Sequence, residues 1–297
     1  MSRAERSFVQ TCGQAPYAAG MVVGVSDLVH DVLNWVDEID FDPNAGGPSL
    51  SVRVLGDQTW LVSDGDSEAD LALRSTLLAT RHDEVAVLTD WSKQSATRVC
   101  ELLGEAGVSV GSTDGLHPLE RAGRAVQEDL CLMHRVDGAW LLDSAILCFP
   151  SRWRLSDKIS QPMHSIHDPV LGYDTAFSTK VDRFISRVGV TPVRRRNWFV
   201  HPDNALFQPS KNLANDPVIS APNCGADLYL RSERQTLRRL SDDWILFTIR
   251  IQRAPVADLV ERRPDFARYI ALASLELLAH HGIKSEQRGE LLAYLTG

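Results

Sequence analysis

Apolar residues recur at two different spacings along this chain, and the change between them divides it. Val29, Val32, Leu33 and Val36 stand at helical spacing within Asp27 to Ile39. The turn-forming stretch Phe41 to Pro48 then interrupts the pattern. Ser49 to Leu55 and Thr59 to Ser63 flank Gly56-Asp57-Gln58, which predicts a β-hairpin with a three-residue loop. Helices are predicted over Ser67 to Thr80 and over Asp90 to Gly107, the latter opened by Asp90 and stopped by Gly107. From Pro118 a short helix leads into two apolar runs separated by Asp137-Gly138, a hairpin signal. Asp174 to Val188 is an amphipathic helix ended by Gly189. Strands follow at Arg194 to His201, Asp227 to Arg231 and Asp243 to Arg253. The last segment, Pro264 to Gly297, sets Phe266, Ile270, Ala273 and Leu277 one turn apart and adds a second short helix. Hairpins feeding an antiparallel sheet, with helices before, within and after it, predict an α+β fold in one unit.

The 297 residues carry 31 Lys and Arg against 39 Asp and Glu, a net charge of −8, which argues against a broad nucleic-acid or membrane-surface footprint. Five scattered cysteines contain no C-x-x-C pair, so a zinc ribbon, a clustered iron–sulfur site and a fully paired disulfide framework are not expected. The opening MSRAERSFVQTCGQ has no apolar run after its charges, and no 18-residue apolar stretch occurs, so a cytoplasmic protein is expected. There is no G-x-G-x-x-G after a strand, no G-x-x-x-x-G-K-[ST], no G-x-S-x-G and no H-E-x-x-H, which removes most nucleotide folds, α/β-hydrolases and zincins.

Chemistry-bearing residues concentrate in three clusters. In Cys148 to Tyr173, His164 and His167 lie three apart, and His167 precedes Asp168-Pro169. No third metal ligand is near, but one inward histidine suffices as an axial ligand of haem iron, the alternative being a capping or core histidine. In Val193 to Pro209, three arginines run into an apolar strand, so at least one of Arg194 and Arg196 shares a face with Trp198. Such an arginine suits a carboxylate, for example a haem propionate; an ion pair at the sheet edge is the alternative. In Leu228 to Arg253, Arg231, Glu233, Arg234, Arg238 and Arg239 alternate charge and read as a turn at a sheet edge, either beside an anionic cofactor or as a surface salt-bridge network.

Taken in order, QEDL at Gln127 to Leu130, FPSRW at Phe149 to Trp153, Lys158, IHDPV at Ile166 to Val170, RRNW at Arg195 to Trp198, LRSERQTLRRL at Leu230 to Leu240 and FTIR at Phe247 to Arg250 resemble the haem-dependent oxidative N-demethylase α-subunit family. The resemblance implies a PAS-like haem b domain, here at residues 48–255, with a 1–47 arm and helix and a 256–297 helical extension. It also implies oxidation of a small N-methylamine with O2, electrons coming from a separate flavin and iron–sulfur reductase. Carried over by position, it implies His167 as the iron ligand, with His164 in reserve. Lys158, Arg194, Arg196, Trp198 and Arg234 become cofactor contacts, and Glu233, Asn197 and Arg231 the groups nearest the chemistry. Leu171 stands where the family usually has a second proline, and Ser241 to Asp243 replace an expected proline-containing turn. Those departures leave open a larger substrate, and a haem sensor or carrier without turnover is the second reading.

Overall fold

The computed structural model describes residues 34–44, 51–56, 60–112, 115–167, 175–210 and 216–297, without the side chains of 34, 164, 167 and 175–178. In chain order the elements are α1 (Asn34–Asp37), β1 (Arg53–Val54), α2 (Ser67–Thr80), α3 (His82–Val85), β2 (Ala86–Val87), α4 (Lys93–Glu105), α5 (Pro118–Ala125), β3 (Asp129–Val136) and β4 (Ala139–Ile146). Then come α6 (Met163–His167), α7 (Thr175–Ile185), β5 (Val193–His201), α8 (Cys224–Asp227), β6 (Tyr229–Ser241), β7 (Trp244–Pro255), α9 (Arg263–Leu272), α10 (Leu275–His280) and α11 (Gln287–Thr296). The strands form one antiparallel sheet in the order β1-β5-β6-β7-β3-β4-β2. The fold is α+β, as the pattern predicts. None of the described helices is long and apolar enough to cross a membrane.

Local chemistry accounts for several elements. The turn joining β3 to β4 places Asp137 and Gly138 at φ 49° and 84°, the pair of positive values that a tight type I′ hairpin requires. Helix α4 buries Ser95, Ala96, Val99, Leu102 and Leu103, one stripe at helical spacing. It ends where the Val108 and Gly107 amides donate back to the Leu103 and Gly104 carbonyls, with Gly107 at φ 81°. The predicted helix over Ser67 to Thr80 matches α2 at both ends.

Other expectations are corrected. The segment predicted as a hairpin around Gly56-Asp57-Gln58 does not pair with itself among the described residues. Arg53 and Val54 pair with Arg194 and Val193 instead. The returning segment has its polar backbone answered by side chains, the Val62 amide by Glu128 and the Trp60 carbonyl by Arg234. The charged stretch Arg231 to Arg239, read as a turn, is the middle of the 13-residue central strand β6. Its charges fall on both faces of the strand, Arg231, Glu233 and Arg239 on one and Arg234 and Arg238 on the other, and other elements bring partners to them, so burial does not strand them. The C-terminal segment forms three helices, because Ala273 and Ser274 leave the helical conformation and the Ser274 side chain opens α10 by accepting from the Leu277 amide. Residues 1–33 of the expected N-terminal arm and helix lie outside the described residues.

Two hydrophobic clusters flank the sheet. The larger is built from α2, α4 and α5 together with β3, β4, β7 and Val181, Ile185 and Val188 around α7. In the smaller, Trp35, Val36, Ile39 and Phe41 meet Phe266, Tyr269 and Ile270 of α9 around Trp198 of β5. Trp198 stacks on His281 with ring centroids 3.7 Å apart, and the Val200 amide donates to the His281 carbonyl at 2.7 Å, which covers the outer edge of β5. Gly282 makes this approach possible, since a Cβ there would stand 2.6 Å from the Val200 carbonyl oxygen and its φ is 82°.

Candidate functional site

Alternation along β5, β6 and β7, combined with their register, assigns odd-numbered residues to one face and even-numbered residues to the other. On the odd face Glu233 stands between Asn197 and Ile251, and Gln235 between Arg195 and Ile249. Both Glu233 and Gln235 are buried, and the Gln235 Nε2 donates to Glu233 Oε2 at 2.9 Å. Asn197 Oδ1 accepts from Arg195. Around this polar patch lie buried Leu237, Ile249 and Ile251.

Two arginines bound the patch along β6. At one end Arg231 donates to Ser151 Oγ and to the carbonyls of Phe149, Pro150, Ala205 and Leu206, at 2.9–3.2 Å. Burial draws this guanidinium down to about 10, with Glu233 holding it up, so it keeps its charge at neutral pH. At the other end Arg239 donates to the carbonyls of Val188, Ile185 and Ser186 just past α7, and its guanidinium lies 5.6 Å over the Trp140 ring. One arginine therefore ties a wall of loops to the sheet and the other ties down the end of a helix. Eight residues of strand separate them, roughly 26 Å.

The even face is different. Arg196, Arg234 and Arg250 form a row across β5, β6 and β7. Arg196 reaches Glu38 at 2.9 Å, Ser232 Oγ at 2.9 Å and Gln252 Oε1 at 2.8 Å, while Arg194 reaches the same Glu38 at 2.6 Å. Arg250 pairs with Asp64 at 2.5 Å and Asp70 at 3.3 Å. Arg234 donates to the Trp60 carbonyl at 2.9 Å. Buried Glu128 accepts from the Val62 amide; desolvation raises its pKa against the opposing pull of that amide and of Arg250 and Arg234. A cavity of about 60 Å³ lies against Asp64, Asp70 and Arg250, too small for more than a water or two.

Helix α6 carries His164 and His167; their side chains lie outside the described residues, as do residues 168–174 between α6 and α7. The approach to α6 is fixed to the edge of β4, where Leu141 pairs with Pro162 and the Leu142 amide donates to the Gln161 carbonyl. Lys158 Nζ donates to the Ile166 carbonyl at 2.5 Å, setting a cation at the carbonyl end of the histidine helix.

The sheet thus brings Asn197, Glu233 and Arg231 together on one face. It sets Arg194, Arg196, Trp198 and Arg234 on the other, each in contacts of its own, and Lys158 on the loop before α6. Gln235 and Arg239 were not singled out for the site. Gln235 could have been found two positions along the strand from Glu233, and Arg239 lies at the same parity.

A family model described as haem-dependent oxidative N-demethylase, alpha subunit-like, matches residues 89–282, well over half of the chain. The chain belongs to this family. The span shared with the haem-dependent oxidative N-demethylase alpha-subunit-like proteins contains β3 to β7, α6 and every odd-face residue named above. It leaves out α1 and α2, and with them Glu38, Asp64 and Asp70, the carboxylates that answer the even-face arginines. The family description makes haem the cofactor to test against these residues. Among the described residues no three His, Cys, Asp or Glu side chains converge as a bare metal ion would need. A porphyrin carries four of its own donors and asks for one or two more, and α6, attached at the edge of β4, carries two histidines. The donor set fits haem.

Proposed function

We propose that this chain is the haem b subunit of an oxygen-activating oxidoreductase that oxidises a small amine by N-demethylation or a closely related reaction. The buried Glu233–Gln235–Asn197 patch on an apolar sheet face, within the segment matched by the haem-dependent family, is the observation that carries the reading. His167, or His164 in its place, holds the iron of a PAS-like pocket at the odd face. Bound there, haem supplies oxygen binding and one-electron chemistry.

The protein's own share is positioning, charge and exclusion of water. Glu233 Oε2 is held by the Gln235 amide, and its other oxygen takes the N–H of a protonated amine. The same carboxylate receives the amine's proton when the neutral form is required. Asn197, opposite Glu233 in register, offers an amide to the substrate or to oxygen. Arg231 keeps the Phe149–Ser151 wall closed over this end of the face. Lys158, by holding the Ile166 carbonyl, orients the helix of the iron ligand. Electrons come from a separate flavin and iron–sulfur reductase in the cytoplasm.

Absorption spectra of the purified protein, oxidised, reduced with dithionite and with carbon monoxide, test this reading. A Soret band that shifts with carbon monoxide and is lost or altered in His167→Ala is expected, followed by amine-dependent oxygen uptake with the reductase. A protein that stays colourless and takes up no added haem overturns it. A haem protein with no amine-dependent oxygen uptake leaves a sensor or carrier.

A further inference from the structure

The segment Gln127 to Asp129 holds three consecutive polar residues that are all buried, and the site described above uses none of them. Asp129 is the one that reaches toward it. Its Oδ1 accepts from the Cys148 amide at 2.8 Å and its Oδ2 from the Phe149 amide at 3.0 Å. Arg74 of α2, with no exposed surface, lies 3.0 Å from Asp129 Oδ1, donates to the Gln127 carbonyl at 2.8 Å and stacks 4.5 Å over the Phe149 ring. The carbonyls of Phe149 and Pro150 and the hydroxyl of Ser151 face the opposite way and accept from Arg231. A carboxylate therefore grips the amides of this short segment while a guanidinium grips its carbonyls. Both grips are charge-assisted and buried, where such bonds are strongest.

We propose that Asp129, set by Arg74, is a positioning residue for the odd-face site: together with Arg231 it brackets Cys148–Ser151, so that a rigid wall stands over the strand position two residues from Glu233. The bracket rests on the functional reading for its consequence, a closed amine site, but not for its mechanics. An ion pair kept only for stability has a different signature. Replacing both members of a buried pair by apolar residues of similar size often restores stability, whereas removing one does not. Such a replacement returns no acceptor to the Cys148 and Phe149 amides.

The test compares wild type, Arg74→Met/Asp129→Leu and Ser151→Ala by amide hydrogen exchange, thermal melting and amine turnover. For the double variant we expect a melting temperature lowered only by what the two amides lose, less than Asp129→Leu alone, and exchange at Cys148 and Phe149 faster by about tenfold or more. Turnover should fall by roughly 10²-fold, the scale set by a small misplacement at an active site. Ser151→Ala, which keeps the pair and removes one acceptor of Arg231, moves exchange and turnover the same way by a smaller factor, and decides the matter should the double variant fail to fold. Unchanged exchange at residues 148–151 in the variants that fold, or wild-type turnover in the double variant, overturns the bracket. The exchange measurement needs no cofactor, so a wild-type protein that takes up no haem defeats the functional reading alone and leaves the bracket to be decided by exchange.

Discussion

The two faces of the central strands carry similar numbers of polar side chains and treat them in opposite ways. On the even face, Arg196 and Arg250 are met by carboxylates from elsewhere in the chain, Glu38 for the first, Asp64 and Asp70 for the second. On the odd face, Glu233 accepts from an amide of its own strand, feels the charge of Arg231 two residues away, and is otherwise bordered by Ile249, Ile251 and Leu237. Ion pairs so fully matched stabilise an arrangement and leave little charge for a ligand. A buried carboxylate hydrogen-bonded by one neutral donor, with its nearest cation committed to backbone carbonyls, keeps capacity for another partner, which is what a site requires. Charge density alone makes the even face look the better cofactor site; the proposed reading follows the pairing and takes the odd face.

Two substitutions separate the faces most strongly. Glu233→Gln keeps the shape of the patch and removes its charge, and is expected to lower kcat/KM for an amine by 10²-fold or more while the melting temperature stays within a few degrees, roughly the effect of 1 kcal/mol. Arg250→Met does the reverse. It leaves Asp64 without its cation and Asp70 with only Arg253, 3.7 Å away, and should cost about 3 kcal/mol in urea unfolding, with KM for the amine little changed in the folded fraction. Loss of turnover in Arg250→Met at full stability, or a large stability loss in Glu233→Gln, would break the distinction between the faces.

That distinction was only half legible in the sequence. The rule that places Arg194 and Arg196 on the face of Trp198 also places Asn197 on the other, yet the pocket expected from sequence drew on both. The strand β6 hid itself for a related reason. Arg231, Glu233, Arg234, Arg238 and Arg239 look like a solvated turn until Asp64, Asp70, Glu38 and Glu128, at distant positions, are known to converge on the same sheet; no local pattern reports that convergence. Elements specified by their own residues were read well. Asp137-Gly138 defines its hairpin, and Ser67 to Thr80 its helix. The hairpin expected at Gly56 failed because Arg53 and Val54 find their partner 140 residues away on β5, where register and not turn chemistry decides.

A pH titration sharpens the comparison at the even face's own end of the sheet. His281, stacked on Trp198 and hydrogen-bonded through Nδ1 to the Trp198 carbonyl at 2.8 Å, is drawn down to about 4 by burial, against that carbonyl, with His280 adding to the depression. Its folded value lies below the ordinary value of 6.5, so its contribution to stability is complete above pH 6.5 and is lost as the pH falls toward 4. Roughly 2 kcal/mol should disappear over that window on its account, and His281→Asn should make the slope shallower. His201, brought to about 3 by burial and by Arg152 and Arg231, loses its contribution over the same fall from pH 6.5 and on toward 3, and so adds to the slope. A melting curve that is flat between pH 6.5 and 4 in the wild type would refute the assignment.

The smallest effect belongs to Glu38, the carboxylate shared by Arg194 and Arg196. Its side chain is one-third exposed, so water and salt screen the pair, and Glu38→Gln should cost only about 1 kcal/mol. Burial pushes its carboxyl up, and Arg196 and Arg194 together outweigh that and hold it below its ordinary value of 4.5. Its contribution is therefore present above that value and is lost as the pH falls through the lowered one, which places the loss below most of the His281 window. The increment should shrink on raising salt from 0.05 to about 0.5 M, where the screening length falls well below 10 Å. In the same variant the haem spectrum and the KM for the amine should not move, because Glu38 answers the even face. If they do move, the even-face arginines reach the cofactor after all, and the carboxylates gathered from outside the family segment act on the site instead of only bracing the sheet behind it.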